Sequence, residues 1–302
     1  MSALLTVIRS RPAAVAMAAL LALLTHNAAA QTSCTAPSTD CVAVGEWNIG
    51  VSLGAGVRSN PVQGSSDIPL VVIPHISYYV KRFFLDNLEL GVTLHETDTN
   101  TFNLIAAPGY DRVFFVRNDL QNLFVGGATN GLVATDKAPQ LTEVFPVKHR
   151  STTYLVGPEW SFEHGRFTGQ LDALREVTGV HDGYEVRAAA AVAIMPGEAS
   201  LAGASGSSPS KGRPKGALTA STGFTWKSAE VVRYYYGVEG LYAPGSALNP
   251  FIKVGYSRPL ADRWTFTAFA HYEYLGSAIA DSPIVTDHGV TTVFAGVVFT
   301  IL

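Results

Sequence analysis

The chain has 302 residues, a formal net charge of −3, and 47% hydrophobic against only 15% charged residues. Soluble domains carry about 25% charged residues, so the composition already leans away from an ordinary soluble fold. The slight acidic balance excludes a nucleic-acid surface built on bulk positive charge, and the length allows one large or two ordinary domains.

The N-terminus reads as a targeting segment. Arg9 and Arg11 precede a short apolar run, Ala13–Leu24, and Ala28-Ala29-Ala30 offers a small-residue cleavage site before Gln31. This is the pattern of a secretory signal peptide over residues 1–30, too short in its apolar part for the ~20 residues of a helical span. Residues 31–45 are then expected to form a periplasmic N-terminal segment, and 46–302 the folded domain. Cys34 and Cys41, the only cysteines, would meet an oxidising compartment. They are the candidate disulfide of the chain, with two free thiols as the alternative.

From Trp47 onward the dominant signal is a period of two. In Trp47–Val57, Trp47, Ile49, Val51, Leu53, Ala55 and Val57 share one face, and Asn48, Gly50, Ser52, Gly54 and Gly56 the other. The same alternation runs through Thr153–Phe162, Gly183–Met195 and Ala217–Lys227. It is clearest in Arg263–Leu275, where Trp264, Phe266, Ala268, Ala270, Tyr272 and Tyr274 oppose Arg263, Thr265, Thr267, Phe269, His271 and Glu273. Globular strands are mostly ~5–6 residues long. These run to about ten, the ~9–11 residues a tilted strand needs to cross a bilayer. Aromatic rings at the ends of the apolar face fit the two headgroup levels of a membrane barrel. Trp160, Trp226, Trp264, Tyr272 and Tyr274 are the candidate belt residues. In hydrocarbon every backbone donor and acceptor must be paired within the protein, so such a sheet must close.

The reading is therefore an all-β, antiparallel, up-and-down transmembrane barrel, with a secreted β-sandwich as the rival. Strands are expected near 46–57, 69–80, 83–95, 101–107, 122–133, 150–162, 166–175, 183–195, 215–227, 250–258, 263–275 and 289–301. That makes twelve, within a range of ten to fourteen. The strand at 122–133 rests mainly on parity: Lys81-Arg82, Glu163-His164-Gly165 and Leu260-Ala261-Asp262 read as short periplasmic turns, and an extra strand keeps the later ones on one side. The outer loops are then 58–68, 96–100, 134–149, 176–182, 228–249 and 276–288.

The C-terminal third carries a recognisable series: "VVRYYYGV" (231–238), "YSRPLADRW" (256–264) and "YLGSAIADSPIV" (274–285). With "VGPEWSFEHGRF" (156–167), "GVHDGYEV" (179–186) and "IPLVVIPHISYYVKRFFLDNLELGV" (68–92), it resembles the MipA/OmpV family of outer-membrane proteins, also called the MltA-interacting protein family. The resemblance spans about residues 46–302 and is poorest over 108–150. It implies a barrel in the bacterial cell outer membrane with a structural or scaffolding role. The partners it implies are the lipid bilayer and a periplasmic murein synthase or transglycosylase.

Polar residues on the inner phase are candidates for a lumenal network: Glu89, Glu159, Asp172, Glu185, Arg187, Lys253, His271 and Glu273. A charge at mid-bilayer on the lipid side costs ~2–4 kcal/mol for Arg or Lys, which drives such residues inward. The same residues could instead line a small-solute path, making the barrel a channel. His271 and Glu273, two apart on one face, also suit a barrel hydrolase in which a base activates water or a serine. No G-x-S-x-G elbow and no metal-spaced His/Cys set is present, so the expectation is no enzyme activity, no cofactor and no metal. Asp86, between Phe84 and Leu88, falls out of phase, and Tyr234, Tyr235 and Tyr236 fit either a belt or an exposed adhesive patch.

Overall fold

The computed structural model describes residues 45–115, 150–195 and 216–301. Within them lie twelve strands: β1 Trp47–Arg58, β2 Ile68–Val80, β3 Phe83–Asp86, β4 Glu89–Glu96, β5 Asn100–Pro108, β6 Tyr154–His164, β7 Phe167–Glu176, β8 Tyr184–Met195, β9 Ala217–Lys227, β10 Ala247–Ala261, β11 Trp264–Tyr274 and β12 Gly289–Thr300. Every strand pairs antiparallel with its sequence neighbours. β1 pairs with β12 from Gly50 opposite Thr300 to Arg58 opposite Thr292, which closes the sheet into a barrel. Closure leaves no edge along the seam, as a lipid-facing sheet requires. Two short helices, α1 Ala229–Tyr236 and α2 Ser277–Ala280, and a 3-10 turn at Tyr110–Phe114 lie in the connections. Among the described residues no helix is long and apolar enough to cross a membrane. The twelve-stranded antiparallel barrel expected from the sequence is the observed fold. The leader at 1–30, Cys34, Cys41, the strand at 122–133 and the loop at 134–149 lie outside the described residues.

Register carries the two-residue alternation around the barrel. Lys253 stands opposite His271, His271 opposite Thr292, and Thr292 opposite Arg58. Along β10, Ala247 and Asn249 are buried while Leu248 and Ile252 are half exposed to the outside. Large apolar side chains such as Phe83, Leu90, Leu94, Ile252 and Val254 stand on the outer face. A water-soluble sandwich would turn these residues inward, so the phase itself separates the two rival folds.

The connections sort into two rims. The 59–67, 109–153, 177–183, 228–246 and 275–288 connections leave from one rim, hereafter the long-loop rim. The short turns at 81–82, 97–99, 165–166 and 262–263 lie at the other, from which the longer 196–216 connection between β8 and β9 also leaves. This corrects the expectation that 96–100 is an outer loop. The Glu163 N–H donates to the Thr99 carbonyl at 2.9 Å, which ties that turn to the short-turn end of β6.

The physical reason is a hairpin inside the predicted strand 83–95. Asn87 adopts a left-handed backbone (φ 53) and turns the chain back through Leu88 after only four residues of β3. Asparagine tolerates that conformation, and here its Oδ1 accepts the Ile76 N–H at 3.1 Å while its Nδ2 donates to Asp86 Oδ1 at 3.0 Å. β3 thus returns only part way up the wall. It supplies the even strand count among the described residues, with β5 paired directly to β6. The reversal also places Asp86. It pairs with Ser77, which is buried inside the barrel, so Asp86 and Phe84 point inward and Phe83 and Leu85 outward. The Phe84 ring occupies the space over Gly91, where a Cβ would lie 2.0 Å from it. Any side chain at position 91 would require that ring to move.

Candidate functional site: a plugged lumen with a crosswise polar row

The long-loop end of the barrel is filled by its own loops. α1 buries Val231, Val232, Tyr235 and Tyr236 completely. They pack with Val62 from the β1–β2 loop, Val113 and Phe114 from the 3-10 turn, Leu275 and Ile279 at α2, and the inward-facing Val290 of β12. The helix begins where Ser228 is pinned to β8: the Ser228 N–H donates to the Tyr184 carbonyl at 2.9 Å, and the Ser228 hydroxyl accepts the Tyr184 N–H at 3.1 Å. It ends at Gly237, whose N–H donates to the Arg233 carbonyl at 3.0 Å.

One buried charge cluster staples this plug to the wall. Lys227, inward-facing at the end of β9, donates to both Asp111 oxygens at 2.6 Å, and the Tyr236 hydroxyl donates to Asp111 Oδ1 at 2.7 Å. A buried ion pair is strong only when its remaining oxygens and protons are also bonded, which Tyr236 helps to achieve. Burial, reinforced by the neighbouring Asp111 carboxylate, pushes the Tyr236 phenol well above its ordinary value, so it stays a donor. Ser282 donates to the Tyr236 carbonyl at 2.6 Å, and Arg150 to the Tyr235 carbonyl at 3.0 Å. Arg58 of β1 lies 5.1 Å from the centre of the Phe114 ring. The three consecutive tyrosines are therefore neither belt nor exposed patch: two are plug core, and Tyr234 packs edge-on against Tyr235 at 4.9 Å. The Asp281-Ser282-Pro283 turn likewise serves the plug through Ser282.

Under the plug the inward faces of adjacent strands set a row across the wall: Asn103 opposite Glu159, Glu159 opposite Asp172, and Asp172 opposite Arg187. Asn103 Nδ2 donates to Glu159 Oε1 at 2.6 Å, and Gln170 Nε2 donates to Glu159 Oε2 at 2.7 Å and to Asp172 Oδ1 at 3.2 Å. Two facing carboxylates are thus joined by one amide, Gln170, rather than by a cation. Arg187 is bonded to Glu185 at 2.8 Å and lies over the Tyr110 ring at 5.3 Å. On the far wall Glu273 accepts from Asn249 Nδ2 at 2.9 Å, His271 packs beside Phe251 at 5.3 Å, and Lys253 sits over the Phe269 ring at 5.2 Å. Glu89 opens β4 opposite Asp86. The named lumenal candidates therefore separate into two groups, one on β4–β8 and one on β10–β11. Asn103, Gln170, Asn249 and Asp111 are not among the sequence candidates, and Tyr236 is named there only as a belt or surface residue. Asn103 and Gln170 are in phase on expected strands and legible as such; Asn249 falls in the expected loop 228–249, and Asp111 carries no periodic signal at all.

Toward the short-turn rim the interior opens into a cavity of ≈ 530 Å³ lined by Glu96, Asp98, Thr101, Ser161, Glu163 and Gln170 among others. On the outer face Trp264 packs against Phe299 at 4.7 Å, and Trp160 stacks on Phe102 at 6.2 Å, both toward that rim. Trp47 and Tyr78, not among the belt candidates, stack at 4.6 Å toward the same rim. Tyr272, Tyr274 and Trp226 lie near the long-loop rim, the two tyrosines well exposed. Among the described residues no group of three or more His, Cys, Asp or Glu side chains is arranged to hold a metal ion.

A closed twelve-stranded barrel, apolar outside, polar inside and plugged at one end, is the class of molecule these features define. Its family follows from comparison. The family model described as "MltA-interacting protein MipA" matches residues 51–301, and the chain belongs to that family. A search of curated proteins finds no match.

Proposed function

We propose that the chain is a bacterial outer-membrane barrel that acts as a non-enzymatic scaffold, presenting its short-turn rim to murein-remodelling enzymes in the periplasm. The observation that carries this reading is the plug: an interior filled at one end with fully buried side chains leaves little room for a solute path. The family's description supports a lytic murein transglycosylase as the partner class. The exposed apolar outer wall and its aromatic ends support burial in lipid.

Crosslinking in intact envelopes followed by pull-down tests the scaffold directly. Enrichment of a murein transglycosylase or synthase is the expected result, and repeated recovery of the barrel alone would end the proposal. Purified protein in planar bilayers should give no steady single-channel steps. Steps abolished by Lys253→Glu would make it a channel instead. Orientation has its own test: a protease acting on whole cells should cut within 238–246 and spare 259–263, and the reverse pattern would invert the assignment of the rims.

A further inference from the structure

The outer wall carries a well-formed groove, among the described residues, that the scaffold reading does not use. It lies where β3 turns back early, has a volume of ≈ 450 Å³, and is lined by Val80, Phe83, Leu90, Val92, Leu104 and Ala106 among other apolar residues. Leu90 and Ala106 are register partners, so a single methyl stands beside longer side chains. Phe83 and Leu90 are each more than half exposed along it. Where the groove meets the short-turn rim, its two lining residues Val80 and Phe83 are joined by the turn Lys81-Arg82. Lys81 is solvent-exposed. None of the other short turns described sets two cations side by side: they read Thr97-Asp98-Thr99, Gly165-Arg166 and Asp262-Arg263.

We propose that this groove is a binding site for one anionic glycerophospholipid, with an acyl chain along the apolar channel and the phosphate headgroup at Lys81 and Arg82. The inference rests on the membrane reading above. The occupant follows from chemistry. A groove on a lipid-facing wall disfavours polar ligands, because Tyr78 is the one residue of its lining with a polar side-chain atom. Paired cations at the interface level attract an anionic headgroup in preference to a zwitterionic one. An acyl chain gains free energy for each methylene it buries, and the groove extends that burial into the wall itself.

Native mass spectrometry of the detergent-purified mature barrel tests this, with phosphatidylglycerol and phosphatidylethanolamine offered at equal concentration. One equivalent of phosphatidylglycerol should be retained preferentially. Lys81→Gln and Arg82→Gln should each weaken that retention roughly fivefold, from the contribution of one cation near a membrane surface. Ala106→Phe, which fills the groove from the outer face, should reduce retention of both lipids, and Arg263→Gln should change neither. Equal retention of the two lipids, or retention untouched by Ala106→Phe in a barrel that still migrates as folded, overturns the site while leaving the membrane assignment intact. A mature chain that remains monomeric in detergent-free buffer and ignores vesicles overturns the membrane reading itself.

Discussion

The barrel wall and the plug are built from the same chain by different rules. In the wall each residue's environment follows from its parity: Phe266 and Ala268 face out and Thr265 and Thr267 in because β11 alternates. A single period therefore places side chains along most of its length. In the plug no period operates. Tyr235 and Tyr236 are adjacent and both fully buried, and they are held by partners more than eighty residues away, Thr153 and Asp111. The wall is a one-dimensional pattern closed by register; the plug is a small three-dimensional core assembled from four separate loops. The first kind of order can be read along a strand, and the second exists only after the strands have brought the loops together.

That difference can be broken at chosen points. The largest effect is expected in the plug. Asp111→Ala leaves Lys227 buried without its partner, which costs about 3–5 kcal/mol, measurable by denaturant unfolding in micelles. Asp111→Ala combined with Lys227→Met should recover most of that loss. If the single variant is as stable as wild type, the ion pair is not what fastens the plug.

A comparable but smaller effect belongs to the wall. Ala268→Arg on the outer face should cost about 2–4 kcal/mol in a bilayer, whereas Thr267→Arg, one residue away and facing the lumen, should cost less. Folding yields in vesicles decide this, and equal penalties would mean that parity does not separate lipid from lumen.

Next comes the irregular part of the wall. Asn87→Val forces a β-branched residue into a left-handed backbone and should cost roughly 1–2 kcal/mol, with faster amide exchange in β3 and β4 than in β10 and β11. Uniform exchange would argue that the short hairpin is not the weak point.

The smallest effect is on pH. Burial lowers the His181 imidazole below its ordinary value, although nearby carboxylates act in the opposite sense. A depressed value means that the folded state favours neutral histidine. The contribution is therefore present above about pH 6.5 and is lost as pH falls through the lowered folded value. The 177–183 loop should exchange faster below that pH, and His181→Gln should remove the dependence.

The sequence by itself determined the class of fold. Long alternating strands, aromatic rings at the ends of the apolar face, and low charge leave a closed barrel as the arrangement that pairs every backbone group in lipid. It also determined the facing of most strand residues, since a period of two admits only two phases. It did not reveal the hairpin at Asn87. Phe83–His95 scans as one long strand in which Asp86 alone is out of phase, and one misplaced carboxylate does not by itself mark a reversal of the chain. It did not reveal the plug either, because Asp111, Lys227 and Tyr236 meet across separations that no local pattern encodes. Tertiary structure decided those points for one physical reason. The alternation of a strand is a property of its own backbone, while burial of a loop depends on which other loops arrive at the same place.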